Sequence, residues 1–166
     1  MSTITTIVGL PGVGKTRLAL SLASAWPRPR PVLLLHTDLL KVTARELGAD
    51  GLRGPGWADP QKAARAQPLL SAHARKAKRD GYDLIVEGTL ALGFHPPGGR
   101  VVVLALDEAR RTQRIAQKHL SARASLEAGS VSAYAEALAA WAPPGALRLD
   151  ASAPVEALVR AVLRYP

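Results

Sequence analysis

Residues Gly9-Leu10-Pro11-Gly12-Val13-Gly14-Lys15-Thr16 match the spacing G-x-x-x-x-G-K-[ST] at every fixed position. The run before them, Ile4 to Val8, is short and β-branched, as a buried strand should be. The run after them, Arg17 to Ala23, is rich in helix formers. A strand, a glycine-rich turn and a helix in that order constrain the fold strongly. Glycines let the chain wrap so that successive N–H groups face inward on a polyphosphate, and the helix N-terminus adds partial positive charge. Gly9, Pro11, Gly12, Val13 and Gly14 would form the cup, with Arg17 just behind it in the helix. Lys15 is placed to reach the β- and γ-phosphates, and the Thr16 hydroxyl to ligate Mg²⁺. The bland alternative is a Gly/Pro turn that only joins strand to helix.

The rest of the chain is consistent with one domain. Its 166 residues are 48% hydrophobic, enough for one sizeable core and too apolar for a disordered tail. The longest apolar runs, such as Val101 to Leu106, are too short to span a bilayer. The N-terminus enters the first strand directly, so no signal peptide is expected, and the expected location is cytoplasmic. With no cysteine, disulfides, thiolate catalysis and Cys-ligated zinc are excluded. Lys and Arg number 22 against 13 Asp and Glu, a formal net charge of +9 that suits polyanionic partners. Nucleic acid is one such partner. It is not favoured, because one Phe, three Tyr and three Trp are too scattered to stack successive bases.

Five strand-like runs alternate with helical ones: Ile4 to Val8, Val32 to His36, Tyr82 to Glu87, Arg100 to Leu106 and Ala146 to Asp150. Near-continuous apolar runs, rather than alternation, point to strands buried on both faces of a parallel sheet. Helices are expected from about Lys15 to Ala25, Leu39 to Leu47, Pro60 to Arg79, Asp107 to Leu120, Ser130 to Trp141 and Pro154 to Leu163. Asp59 would cap the third of these, Pro68 would break or kink it, and Asp80-Gly81 would end it. Ser152 or Asp150 would cap the last. The β-α alternation predicts an α/β layered fold with right-handed crossovers. Gly48 to Gly56 reads as a surface loop.

A phosphate cup implies nucleotide binding, and other residues must decide the chemistry. Asp38 follows the second strand, at the end of a parallel sheet where ligands bind. There it can accept the proton of an attacking hydroxyl; it is also a good helix N-cap, with Thr37 competing and His36 in a supporting place. Glu87 ends the third strand and can hold Mg²⁺ or face the acceptor, with Gly88 letting the backbone turn closely; the alternative is a strand-end carboxylate paired with a nearby base. Arg110, Arg111, Arg114, Lys118 and Arg123 follow the fourth strand. Arg111, Arg114 and Lys118 share a helical face that could fold over the nucleotide as a lid, at about residues 108–130, and neutralise the transferring phosphoryl group. The alternative is a solvated helix face. Trp57 could wall an acceptor pocket or anchor its loop to the core.

These segments resemble the small P-loop kinases, and within them the zeta-toxin and chloramphenicol phosphotransferase branch. The phosphate loop, Asp38, the segment Gly81 to Leu90, and Val101 to Leu106 followed by Arg114 and Lys118 carry the resemblance. Leu147 to Glu156 is similar to the last strand, adenine-side loop and final helix of such kinases. The resemblance implies a three-layer P-loop NTPase fold, with five parallel strands in the order 2-3-1-4-5. It implies ATP and Mg²⁺ as cofactors, Asp38 as base, Lys15 and Thr16 on phosphate and metal, and Arg114 on the lid. Two departures stand out: the stretch from Thr89 to Arg100 is shorter than in zeta toxins, and Lys118 stands where the family has arginine.

The expected activity is transfer of the γ-phosphate of ATP to a hydroxyl of a small molecule, by a monomer or homodimer without a membrane partner. The alternatives are a polynucleotide 5′-hydroxyl kinase, and an ATPase or switch module that works without an acceptor. No N-K-x-D sequence follows for reading guanine, which argues against a GTPase.

Overall fold

The computed structural model describes residues 2–27, 29–47, 59–117 and 128–166. Five strands are described: β1 (Ile4–Gly9), β2 (Val32–His36), β3 (Asp83–Glu87), β4 (Arg100–Ala105) and β5 (Leu147–Asp150). They form one sheet in the order β2-β3-β1-β4-β5. Every pairing is parallel. The predicted sheet order is therefore the observed one. Register brings the carboxyl ends of three strands level, with Ile7 paired to Glu87 and Glu87 to His36.

The apolar runs divide strictly by parity, because successive side chains on a strand point to opposite faces. Ile4, Val8, Leu84, Val86, Val101 and Val103 face one core; Ile7, Ile85, Val102 and Leu104 face the other. Helices cover both. The first core is closed by α3 (Pro60–Asp80), through Ala63, Leu70, Ala74 and Ala77, and by α5 (Ala128–Trp141), through Tyr134 and Leu138. The second is closed by α1 (Lys15–Ser24), through Leu18, Ala19 and Leu22, and by α6 (Val155–Arg164), through Leu158, Val159 and Val162. Full burial of each large side chain contributes about 1.5–3 kcal/mol, so these two layers are the main source of stability. Two further helices, α2 (Thr37–Glu46) and α4 (Glu108–Gln117), follow the carboxyl ends of β2 and β4. No helix among the described residues is long and apolar enough to cross a membrane.

Three local expectations are corrected. α3 runs unbroken through Pro68. The proline removes one N–H that would have bonded the Ala64 carbonyl, but both residues are on the exposed side, where water can serve it. Gln67 Nε2 meanwhile donates to the Ala63 and Leu92 carbonyls at 3.0 and 2.8 Å, fastening this turn to the chain after β3. Neither Ser152 nor Asp150 caps α6, whose N-cap is Pro154. Asp150 Oδ1 instead accepts from Ser152 N at 2.8 Å, and that bond holds its carboxyl below the usual range. Asp38 is not the N-cap of α2: the helix starts at Thr37, directly after β2, which places Asp38 inside the first turn. Its negative charge there still complements the helix dipole. Asp59 does cap α3, accepting from Gln61 N and Lys62 N, and Gly81 ends it at φ 79°.

Candidate active site

The loop between β1 and α1 is built as its glycines require. Gly9, Gly12 and Gly14 have φ of 151°, 85° and 102°. At Gly9 space is also decisive, since a Cβ would lie 2.5 Å from the Leu104 carbonyl oxygen of the neighbouring strand. Gly14 is the N-cap of α1 and supplies no side-chain cap, and the first turn has no acidic residue. The helix N-terminus therefore keeps its partial positive charge for an anion. Lys15 is buried, and its Nζ donates to the carbonyls of Gly9 and Leu10, both at 3.0 Å. Its ammonium is thus held at the base of the loop.

Glu87 is buried at the end of β3 and gathers two partners from other elements. Thr16 Oγ1, in the first turn of α1, donates to Glu87 Oε1 at 3.1 Å. His36 Nδ1, at the end of β2, lies 2.5 Å from the same oxygen. The level strand ends bring this about: His36 and Glu87 are register partners. The backbone turns away at Gly88, where φ is 123°, and a Cβ there would fall 2.2 Å from Thr37 Oγ1.

Asp38 lies in the first turn of α2. Its Oδ1 lies 3.6 Å from Lys41 Nζ one helical turn on, and its side chain is half exposed. Lys41 Nζ also donates to Thr89 Oγ1 at 2.8 Å, tying α2 to the turn after β3. Tyr134 of α5 is fully buried in the first core. Burial, and after it the Asp38 charge, push the phenol well above its usual titration range.

The basic helix α4 packs on the outside of the phosphate loop. Ile115 lies so close that a Cβ on Gly12 would come within 2.7 Å of its Cγ1. Arg111 is buried, paired with Glu108, and its Nη1 approaches the Pro11 carbonyl at 3.4 Å. Arg114 donates through Nη1 to the Val13 carbonyl and through Nη2 to the Ala151 carbonyl, each at 3.1 Å. It bridges the phosphate loop to the turn after β5. Arg110 points elsewhere: it is exposed and pairs with Asp107 at 3.3 Å. Arg17 is exposed in the first turn of α1. Trp57, Lys118 and Arg123 lie outside the described residues, as does the part of the expected lid from 118 to 127.

The structure therefore brings Gly9 to Thr16, Glu87 and Asp38 to one edge of the sheet, with Arg111 and Arg114 beside them. Lys41 and Thr89 were not singled out from the sequence. Lys41 had a visible signal, a cation three residues after Asp38 on a helix.

Neither a protein-family model nor a curated protein matches this sequence. Solved structures do match in fold. A gluconokinase from Sinorhizobium meliloti aligns at TM-score 0.58 and 19% identity, covering 98% of this chain and 89% of the other. A sugar kinase from Janibacter sp. aligns at TM-score 0.55 and 16% identity, covering 99% and 94%. An uncharacterized protein from Eubacterium ventriosum aligns at TM-score 0.59 and 13% identity, covering 99% and 98%. At such identities the likeness is one of fold, and it extends over the whole chain.

Proposed function

We infer that this protein transfers the γ-phosphate of ATP to a hydroxyl of a small molecule. The observation that carries the reading is the Thr16–Glu87 hydrogen bond directly behind the phosphate loop, with Asp38 in the first turn of α2 just after β2, the strand paired with β3. It joins a phosphate-binding turn, two oxygen donors and a half-exposed carboxylate at one sheet edge. The two kinases among the structures of similar fold support the same class.

The residues present fit Mg²⁺ bound with a nucleotide. Thr16 Oγ1 and Glu87 Oε1 are hard oxygen donors beside the loop, and Mg²⁺ commonly takes one or two protein oxygens and fills its shell with phosphate and water. When bound, the metal supplies neutralisation of phosphate charge. His36 holds the same Glu87 oxygen that Thr16 does, so the carboxylate's orientation is set before any ligand arrives.

The rest is positioning. The loop N–H groups and the Lys15 ammonium would hold the β- and γ-phosphates and stabilise charge on the transferring group. Asp38 would accept the proton of the acceptor hydroxyl as that oxygen bonds to the γ-phosphorus and the bond to the ADP oxygen breaks. ADP leaves with the electron pair of the broken bond. Arg114 joins the loop to the turn after β5, and so would keep the phosphate and base ends of the nucleotide site in fixed relation. The zeta-toxin and chloramphenicol phosphotransferase likeness suggests the acceptors to try first.

The deciding experiment is an ATP-consumption screen over sugars, nucleosides, nucleotide sugars, aminoglycosides, chloramphenicol-type alcohols and 5′-hydroxyl oligonucleotides. Asp38→Ala is run beside the wild type. Acceptor-dependent turnover that falls by about 10²–10⁴ in Asp38→Ala is expected. Turnover that ignores every acceptor and survives the substitution would overturn the reading in favour of a nucleotide-hydrolysing module.

A further inference from the structure

Arg111 commits every nitrogen of its guanidinium within the protein. Nε and Nη2 donate to the two carboxylate oxygens of Glu108, Nε at 3.0 Å, and Nη1 donates to the Pro11 carbonyl at 3.4 Å. The Arg111 side chain is 8% exposed and that of Glu108 73%. A guanidinium and a carboxylate that meet through two parallel bonds share one plane. With that plane fixed, Nη1 is aimed at the loop. Glu108 already meets the positive charge, so Arg111 has little left to offer a phosphate.

The Pro11 contact gives the guanidinium a different use. A trans peptide is planar, so the Pro11 carbonyl and the Gly12 N–H point in opposite directions. α4 packs on the outside of the loop, with Ile115 against Gly12. A carbonyl held toward α4 therefore turns the Gly12 N–H away from α4 and into the cup. Arg114 repeats the device two residues on: its Nη1 holds the Val13 carbonyl at 3.1 Å, which turns the Gly14 N–H inward. Gly12 and Gly14, at φ of 85° and 102°, have no side chains of their own to fix these peptides. Glycine also loses the most conformational freedom on ordering, so an outside anchor matters most here. We propose that Arg111 is a positioning residue for the phosphate loop: it anchors the Pro11–Gly12 peptide with its N–H inward, so that the anion site stands formed in the empty protein. For its effect on nucleotides this rests on the phosphotransfer reading above.

The test compares Arg111→Met with the wild type, by calorimetry with ADP and with ATP, and by the NMR order parameter of the Gly12 amide without ligand. Methionine keeps an apolar stem and removes the donors. Affinities for ADP and ATP will fall together by about tenfold, the worth of one charged hydrogen bond. The Gly12 order parameter will fall from about 0.85 to below about 0.6, while the amides of β1 and β4 keep theirs. An unchanged order parameter, or an unchanged ADP affinity, overturns the proposal. So does a loss confined to ATP, which would put Arg111 on the γ-phosphate. If Arg111→Met does not fold, Glu108→Gln, at an exposed position, is read by the same amide. Loss of the second carboxylate oxygen frees the fork, so Gly12 order will fall there too, and an unchanged value overturns the role. If the wild type binds neither ADP nor ATP, the phosphotransfer reading fails separately, and the amide comparison still decides whether Arg111 fixes the loop.

Discussion

The Thr16 hydroxyl donates to Glu87 Oε1 across 3.1 Å, although the two residues are 71 positions apart. That bond joins the first turn of α1 to the end of β3, beside the loop that links β1 to α1. Replacing Glu87 by glutamine keeps the shape and removes the charge. The expected result is a 10- to 100-fold weaker affinity for Mg·ATP, roughly the cost of altering such a ligand or its support, with little change for ATP in EDTA. Calorimetry with and without magnesium measures both. Equal weakening in the two conditions would place Glu87 elsewhere.

Lys15→Ala should abolish productive ATP use, with a loss of roughly 10²–10³ in turnover. The ammonium that now bonds the Gly9 and Leu10 carbonyls would no longer offset phosphate charge. A coupled assay for ADP release checks this. Wild-type turnover in the variant would count against the loop as the nucleotide site.

Two glycines separate strain from crowding. Gly88 and Gly98 both have positive φ, but a Cβ on Gly88 meets Thr37 Oγ1 at 2.2 Å, whereas nothing lies within 4 Å of one on Gly98. Gly98→Ala should cost about 1 kcal/mol, from the left-handed backbone alone. Gly88→Ala should cost roughly 3 kcal/mol or more, since steric displacement adds to strain. Thermal unfolding would then show Tm falling about threefold further for Gly88→Ala.

Arg114 bonds the carbonyls of Val13 and Ala151 with its two terminal nitrogens. Lysine cannot span both, because it presents one point charge rather than a planar fork. Arg114→Lys should therefore raise KM for ATP several-fold and lower Tm by a few degrees, reflecting about 1.5–3 kcal/mol per lost charged bond before any replacement. A variant with unchanged KM would mean that the two loops need no common tether.

Glu108 is paired with the buried guanidinium of Arg111, whose hydrogen bond holds its carboxyl below the ordinary value. A lowered folded-state pKa adds stability above the unfolded value and loses it as pH falls through the folded one. Because Glu108 is mostly exposed, solvent screening keeps the effect small. Glu108→Gln should be slightly less stable than the wild type at pH 7, and the difference should shrink as pH falls below the ordinary glutamate value of about 4.3 and vanish only below the lowered folded value. Thermal melts at a series of pH values follow it. A gap that widens in acid would contradict the pairing.

The sequence by itself determined the strand-loop-helix at residues 4–24 and the apolar runs of the three central strands, β1, β3 and β4, which are buried on both faces. These follow from demands made within a few residues: positive φ at Gly9, Gly12 and Gly14, and side chains without a polar face. The edge strands β2 and β5, expected to be buried likewise, are partly exposed, since each has a neighbour on one side only. The sheet order came with the family likeness rather than from spacing. Only the tertiary structure decided which side chains meet. Register levelled His36 with Glu87 and so assembled the carboxylate's partners. The direct passage from β2 into α2 moved Asp38 off the cap and into the first turn. Packing of α4 turned Arg111 and Arg114 onto loop carbonyls while leaving Arg110 outside. The buried face of α3 carried the helix through Pro68. A pattern of neighbours records what a backbone can locally adopt; a contact across many tens of residues depends on how separate layers come to rest on one another.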